Sequence, residues 1–237
     1  MVANEVYDIG MPTAPGAHVP VDRRVRKTRA SLHGAMVALL ADHAYAEITV
    51  EQLIDKADIS RATFYAHFSD KDDLFLQVVA GLTATMIDRA IAVASIDVPV
   101  AGGAAVYETF RYTETFRPVY LAMFRGAGRG AALQAFRESL VAAYGRVQEA
   151  TIAAFGVQPR LPLEVVVRAW VGEHLELMQW WLEASPGYSA ADLTRMRVHL
   201  LTDGPMWARG FEQGQITFDS DGFDRVVAAW TPPPAIG

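Results

Sequence analysis

The stretch TVEQLIDKADISRATFYAHFSDKDDL, from Thr49 to Leu74, limits the fold more than any other part of the chain. Thr49 and Gln52 stand at capping-box spacing, in which each side chain satisfies an orphan backbone donor at a helix start. Val50, Leu53, Ile54 and Ala57 then recur at helical intervals and form one apolar stripe. Asp58 and Ile59 mark a tight turn, where Asp tolerates left-handed backbone less readily than Gly. Ser60 caps a second helix, with Thr63, Phe64 and Phe68 facing inward and Arg61, Ala62, Tyr65 and His67 nearer the outside. A further cap is expected at Ser69, with Asp72 at the N3 position and Leu74 and Phe75 opening the next apolar run.

Two short helices about a tight turn, the second with polar and aromatic outward residues, suit a DNA major groove. Spacing alone leaves a plainer reading open, in which both helices are packing elements of an ordinary all-α domain. Upstream, Arg23, Arg24, Arg26, Lys27 and Arg29 form a basic run, read as an arm ahead of the helix containing Leu32, Met36, Leu39 and Leu40. Such an arm can reach phosphates or a minor groove.

Residues 25–75 resemble the tetracycline-repressor (TetR) family of bacterial transcription regulators. The resemblance rests on a first helix ending near Asp42, the connection through Tyr45 to the Thr49 cap, and the ending Tyr65, His67, Phe68 and Lys71 at the family's spacing. Asp58 departs from the Gly usual in the family's turn, and Ala46 and Glu47 from a more Gly-rich loop. By resemblance, Arg61, Ala62 and Tyr65 face base edges. Thr49, Tyr65, His67 and Lys71 hold phosphates, and Arg24 and Lys27 add backbone contacts. Arg61 is the candidate for direct readout, because its planar fork matches a guanine edge.

The rest of the chain reads as helices. A hydrophobic fraction of 51% with 20% charged residues fits a buried globular protein. The absence of cysteine excludes disulfides and thiolate chemistry. The net charge of −6 excludes a whole-surface attraction to DNA and leaves a local basic face on an acidic body. Charge interrupts the apolar runs before about 20 residues, so no membrane span is expected, and a cytoplasmic chain is the simplest reading. Residues 1–20 read as a mobile tail, 21–70 as a three-helix DNA-binding domain, and 71–237 as a larger helical domain for ligand binding and dimerisation. Helices are expected at 71–94, 104–116, 118–125, 131–155, 163–184 and 190–213, with a short one at 223–230 and a weak strand pattern at 215–218.

Trp170, His174, Met178 and Trp181 share one helix face, with Leu177 and Trp180 beside it, so this helix should be buried on more than one side. The resemblance implies that the last two large helices pair with those of a second subunit. It also implies a pocket, for which Met86, Tyr107, Phe110, Tyr144, Trp170, His174 and Met178 are the candidate lining. Few charges punctuate these positions, which favours a largely apolar or aromatic ligand. The expected partners are therefore a double-stranded operator, a second copy of the chain and a small molecule. No cofactor or metal is expected. An enzyme is disfavoured because Glu173 and His174 lack a second His at ligand spacing, and no phosphate loop or nucleophile elbow is present. A helical ligand-binding protein with a vestigial head is the alternative, opposed by the intact Tyr65, His67 and Lys71.

Overall fold

The computed structural model describes residues 23–94, 103–201 and 219–230, and no strand occurs among these described residues. Helix α1 is Arg23–Asp42 and is followed by a 3-10 turn, Tyr45–Glu47; α2 is Val50–Ala57, α3 Arg61–His67 and α4 Lys71–Ala94. Then come α5 (Gly103–Thr115), α6 (Arg117–Phe124), a 3-10 turn at Ala127–Gly130, α7 (Ala131–Phe155), α8 (Leu163–Ala184), α9 (Ala190–Leu201) and α10 (Ser220–Ala229). The protein is all-α, as the periodicity predicts. The tail at 1–20, the strand pattern at 215–218 and the continuation of α9 to 213 lie outside the described residues.

Two compact units are present. Within the described residues, the first comprises 23–84 and 116–136, and the second 85–94, 103–115, 137–201 and 219–230.

In the first unit, α1 packs on α2 and on α6. Leu32, Ala35, Met36 and Leu40 recur every three or four residues along α1 and are buried with Ile48, Leu53, Ala57, Phe64 and Phe68. Each of the Leu, Ile, Met and Phe side chains among them contributes about 1.5–3 kcal/mol on burial. The backbone ends are satisfied too, since the Ser31 hydroxyl donates to the Ala57 carbonyl at 2.9 Å, at the end of α2. Asp58 carries the turn in the left-handed region, at φ 52° and ψ 53°. The expected cap at Ser69 falls one residue later. Asp70 accepts from the Asp73 N–H at 2.8 Å, and the Asp73 carboxylate accepts from the Ser69 N–H at 2.9 Å. Asp72, expected at N3, is freed for a different partner. After α6 the chain reverses through left-handed backbone at Gly126, Gly128, Arg129 and Gly130. At Gly128 a Cβ would also press on Phe75, at 3.3 Å.

His33 lies beside Phe68, with ring centroids 6.0 Å apart, and its Nε2 is buried without a hydrogen-bond partner. Burial, and secondarily the Arg29 charge, pull its pKa from 6.5 to about 4. The folded state therefore refuses a proton that the unfolded chain accepts. Stability is unaffected by this group above pH 6.5 and falls as pH drops from 6.5 towards 4, by up to about 3 kcal/mol. Urea unfolding of the wild type and of His33→Leu across that range checks this. The expected result is that the wild type loses stability relative to the variant on acidification; a pH-independent difference contradicts it.

By length and composition α4 is apolar enough to cross a membrane, although Asp88 and Arg89 interrupt its apolar run as the sequence reading expects. Leu74, Phe75, Val78, Val79, Leu82 and Met86 are nevertheless buried in the protein, the pattern of a core helix.

In the second unit, α5 is buried around most of its circumference and packs on α9 and α10. Its buried Glu108 pairs with Arg89 and accepts from the Trp230 indole N–H at 2.8 Å. The C-terminal extension thus has a structural role that its sequence does not announce. Asp219 caps α10, Phe223 meets Tyr107 edge-on at 5.4 Å, and Arg111 lies 4.0 Å from the Trp230 ring.

Candidate functional site

Helix α3 is short and depends on its anchors. At its start the Ser60 hydroxyl accepts from the Thr63 N–H at 3.1 Å; at its end the Phe68 N–H donates to the Phe64 carbonyl at 2.9 Å. Phe64 and Phe68 are fully buried with ring centroids 6.0 Å apart, and Tyr65 sets its ring edge against Phe64 at 5.2 Å. This inward grip leaves Arg61, Ala62 and Tyr65 exposed together, and His67 half-buried beside Phe68. Arg61 lies 5.8 Å from the Tyr65 ring and is joined to Glu51 of α2 at 2.5 Å, both side chains being largely exposed. In the free protein the Arg61 fork is therefore aligned along the outer face of α3 by two neighbours. That arrangement suits a polyanion or a base edge, which would have to replace Glu51.

Thr49 holds α2 as predicted: its hydroxyl accepts from the Gln52 N–H at 3.2 Å, and its own N–H donates to the Gln52 side chain at 2.7 Å. The Thr49 hydroxyl proton is left available to a phosphate. The basic run needs correction. Arg23, Arg24, Arg26, Lys27 and Arg29 lie within α1 and not on an arm ahead of it, because the helix starts at Arg23. Arg24 and Lys27 are exposed there, whereas Arg29 is half-buried and lies 5.6 Å from the Phe68 ring.

Lys71 has another occupation. Its ammonium donates to the Tyr45 and Ile48 carbonyls at 2.8 and 2.7 Å and lies 4.3 Å from the Tyr45 ring. Two of its three donors are committed, and burial lowers its pKa from the ordinary lysine value. The Tyr45 hydroxyl donates to Asp72 at 2.5 Å, and Arg129 pairs with the other Asp72 oxygen at 3.2 Å. Sequence reasoning placed Lys71 on phosphate and missed this cluster, since residues 23 to 27 positions apart carry its hydrogen bonds. A Lys next to an Asp and some 26 residues downstream of a Tyr gives no periodic signal.

The second unit brings four of the predicted lining residues together. The His174 ring lies 4.8 Å from Phe110 and 6.3 Å from Tyr144, and Tyr144 meets Trp170 edge-on at 5.7 Å. Met86 and Met178 are fully buried, while Tyr107 is turned to Phe223 of α10. The Thr109 hydroxyl donates to the Val106 carbonyl at 2.7 Å and so receives the His174 Nε2–H at 2.9 Å. That assigns the remaining nitrogen, Nδ1, as a buried acceptor, and it has no partner. Burial and then the Arg197 charge hold His174 neutral, well below its ordinary pKa. Arg197 was not foreseen. The signal was present, because it continues the inward stripe of Ala190, Leu193, Thr194 and Val198 on α9. The described residues contain no group of three or more His, Asp or Glu placed to hold a metal ion.

Comparison with known proteins places this architecture. The sequence profile for bacterial regulatory proteins of the tetR family matches residues 34–78. An uncharacterised HTH-type transcriptional regulator of Bacillus subtilis (strain 168), YxbF, is 39% identical over 70 residues, which are 29% of this chain. The match spans only 18% of that relative's length. A TetR-family transcriptional regulator of Pectobacterium atrosepticum superposes with a TM-score of 0.60 at 20% identity, covering 76% of this chain and 94% of the other. A TetR transcriptional regulator of Streptococcus agalactiae 2603V gives 0.56 at 21% identity, covering 76% and 96%. These structural matches extend the likeness in fold beyond the first unit.

Proposed function

We propose that this chain, whose residues 34–78 match the profile for bacterial regulatory proteins of the tetR family, is a homodimeric repressor of that family, released from a palindromic operator by a small ligand. The observation that carries the DNA-binding part is the α3 face. Arg61, Ala62 and Tyr65 stand out from a helix whose other side is fixed by Phe64 and Phe68. Arg61 reads a base edge, Tyr65 and Ala62 pack beside it, and Thr49, His67, Arg24 and Lys27 hold the sugar–phosphate backbone. Lys71 is assigned to shaping the 3-10 turn before α2, with one donor left for phosphate. The site of action is the cytoplasm, where the operator lies.

The second unit supports self-association. On α8, Val165 and Trp180 are exposed, and on α9 Met196 and Leu200, at 40% and 71%. Ala169 and Gly172 lie on the exposed side of α8, and a Cβ added at Gly172 meets nothing. Small residues there permit a close helix approach. A two-fold dimer puts one α3 in each of two half-sites, about 34–36 Å apart. The ligand site is the ring cluster around His174. Because α4 runs from the first unit into the second, its course is the route by which occupancy of that cluster would reach the head. A coupling of about 1–3 kcal/mol changes operator occupancy 5- to 150-fold.

The double variant Met196→Glu, Leu200→Glu tests the dimer. Sedimentation should show a monomer at concentrations where the wild type is a dimer, and retardation of operator DNA should be lost. A wild-type monomer that still retards DNA contradicts this assignment.

A further inference from the structure

Among the described residues Arg197 is the largest fully buried side chain, with 1% exposure, yet its contacts are loose. Nη2 lies 3.4 Å from the Trp170 carbonyl and 3.4 Å from Glu173 Oε2, and Nε has no partner. Neither Glu173 oxygen has a hydrogen-bond partner, so the pair is ionic contact without a bond. Charge-assisted N–H···O bonds settle at about 2.7–2.9 Å. The exposed Arg195–Asp224 pair in the same unit is closer still, at 2.6 Å. A buried guanidinium held less well than a surface one is a site waiting for a better anion, because leaving donors unmade in the interior is costly.

We propose that the second unit binds a small aromatic carboxylate, with its carboxylate on Arg197 in place of Glu173 and its ring among Phe110, Tyr144 and Trp170. This rests on the ligand-released reading of the protein and names the chemistry of the ligand. Carboxylate is favoured over phosphate by two features. The group now facing Arg197 is itself a carboxylate, and the planar fork offers one positive charge, which matches a monoanion. Glu173 can yield its place, since no hydrogen bond holds either of its buried carboxylate oxygens and the side chain as a whole is 30% exposed. Removal from water raises its pKa, with Arg197 opposing the rise, so the glutamate is a strained partner. The flanking rings supply the apolar body of the site, and they reach the charged end through Trp170, which stands 5.7 Å from Arg197 and 5.7 Å from Tyr144. His174 Nδ1, a fully buried acceptor without a donor, is completed by a hydroxyl or N–H on the ring. The ligand proposed here is amphipathic, because the buried Arg197 adds a charged end to the apolar lining expected from the sequence.

The full-length protein is titrated with benzoate, the hydroxybenzoates, 1-naphthoate and indole-3-acetate, and with the corresponding uncharged amides, by calorimetry and thermal midpoint. Acids should bind and raise the midpoint, hydroxylated acids more tightly than benzoate, and amides roughly 30-fold more weakly or not at all. Arg197→Met should lose acid binding. Because removing a buried Arg can also disturb folding, Glu173→Gln is the second variant. It frees the guanidinium and should bind the acids several-fold more tightly than the wild type. Equal binding of acids and amides, weaker or unchanged acid binding by Glu173→Gln, or no binding of any acid overturns the assignment. The wider reading is judged separately by DNA retention. Acids that bind and leave retention intact support the site and contradict ligand release. Amides that release DNA while the acids do not overturn the carboxylate and leave ligand release standing.

Discussion

Phe64→Ala should unfold the DNA-binding head and abolish DNA retention. Phe64 has no exposed surface and makes ring contacts with both Phe68 and Tyr65. Emptying such a position costs about 3–5 kcal/mol through lost transfer energy and the cavity that remains. A domain's whole stability is about 5–15 kcal/mol, and the head is a small part of this chain. The same residue orients the outer face, since Tyr65 leans on the Phe64 ring and α3 is short. Phe64→Leu keeps most of the volume and should cost under about 1.5 kcal/mol. Urea unfolding followed by Tyr fluorescence, with DNA retention in parallel, separates the two. Wild-type retention by Phe64→Ala at an unchanged midpoint would remove α3 from the interface.

Arg61→Ala should lower affinity for the preferred operator roughly 10- to 100-fold and flatten base preference at one position in each half-site, the effect expected for loss of a bidentate base contact. Arg61→Lys keeps the charge and loses the fork, so it should retain non-specific binding without the preference. Glu51 gives the complementary test. It holds Arg61 in the free protein and is a largely exposed negative charge beside the α3 face proposed to meet DNA. Glu51→Gln should therefore raise affinity for all sequences, most strongly at low salt, where screening is weak. Competition assays with operators altered one base pair at a time provide the readout. An Arg61→Ala protein that discriminates as the wild type does would assign base readout elsewhere.

Local chemistry made much of the fold legible. Thr49 with Gln52, Asp58 and Ser60 are short-range devices, and each does in the structure what its residue type predicts. The limits of α7 and α8 also match, because Gly130, Gly156 and Pro162 bracket long apolar periodicities. Other positions are decided by residues distant in the sequence. Asp70 and Ser69 are both good caps, and neighbours decide between them. Lys71 and Asp72 are surface residues by type, and only the Tyr45 turn brings them partners. Arg197 looks like one more helix-face cation until α8 closes over it. Trp230 and Glu108 bond across 122 residues of chain, a distance at which no pattern in either segment signals the other.

The most direct measurement is selection of bound duplexes from a random-sequence library by the purified protein at near-physiological salt. The account predicts one enriched palindrome with half-site centres about 10 base pairs apart, or a multiple of that turn, and its loss in Arg61→Ala. Enrichment of no sequence by a folded dimer, or of a motif without two-fold symmetry, would contradict it.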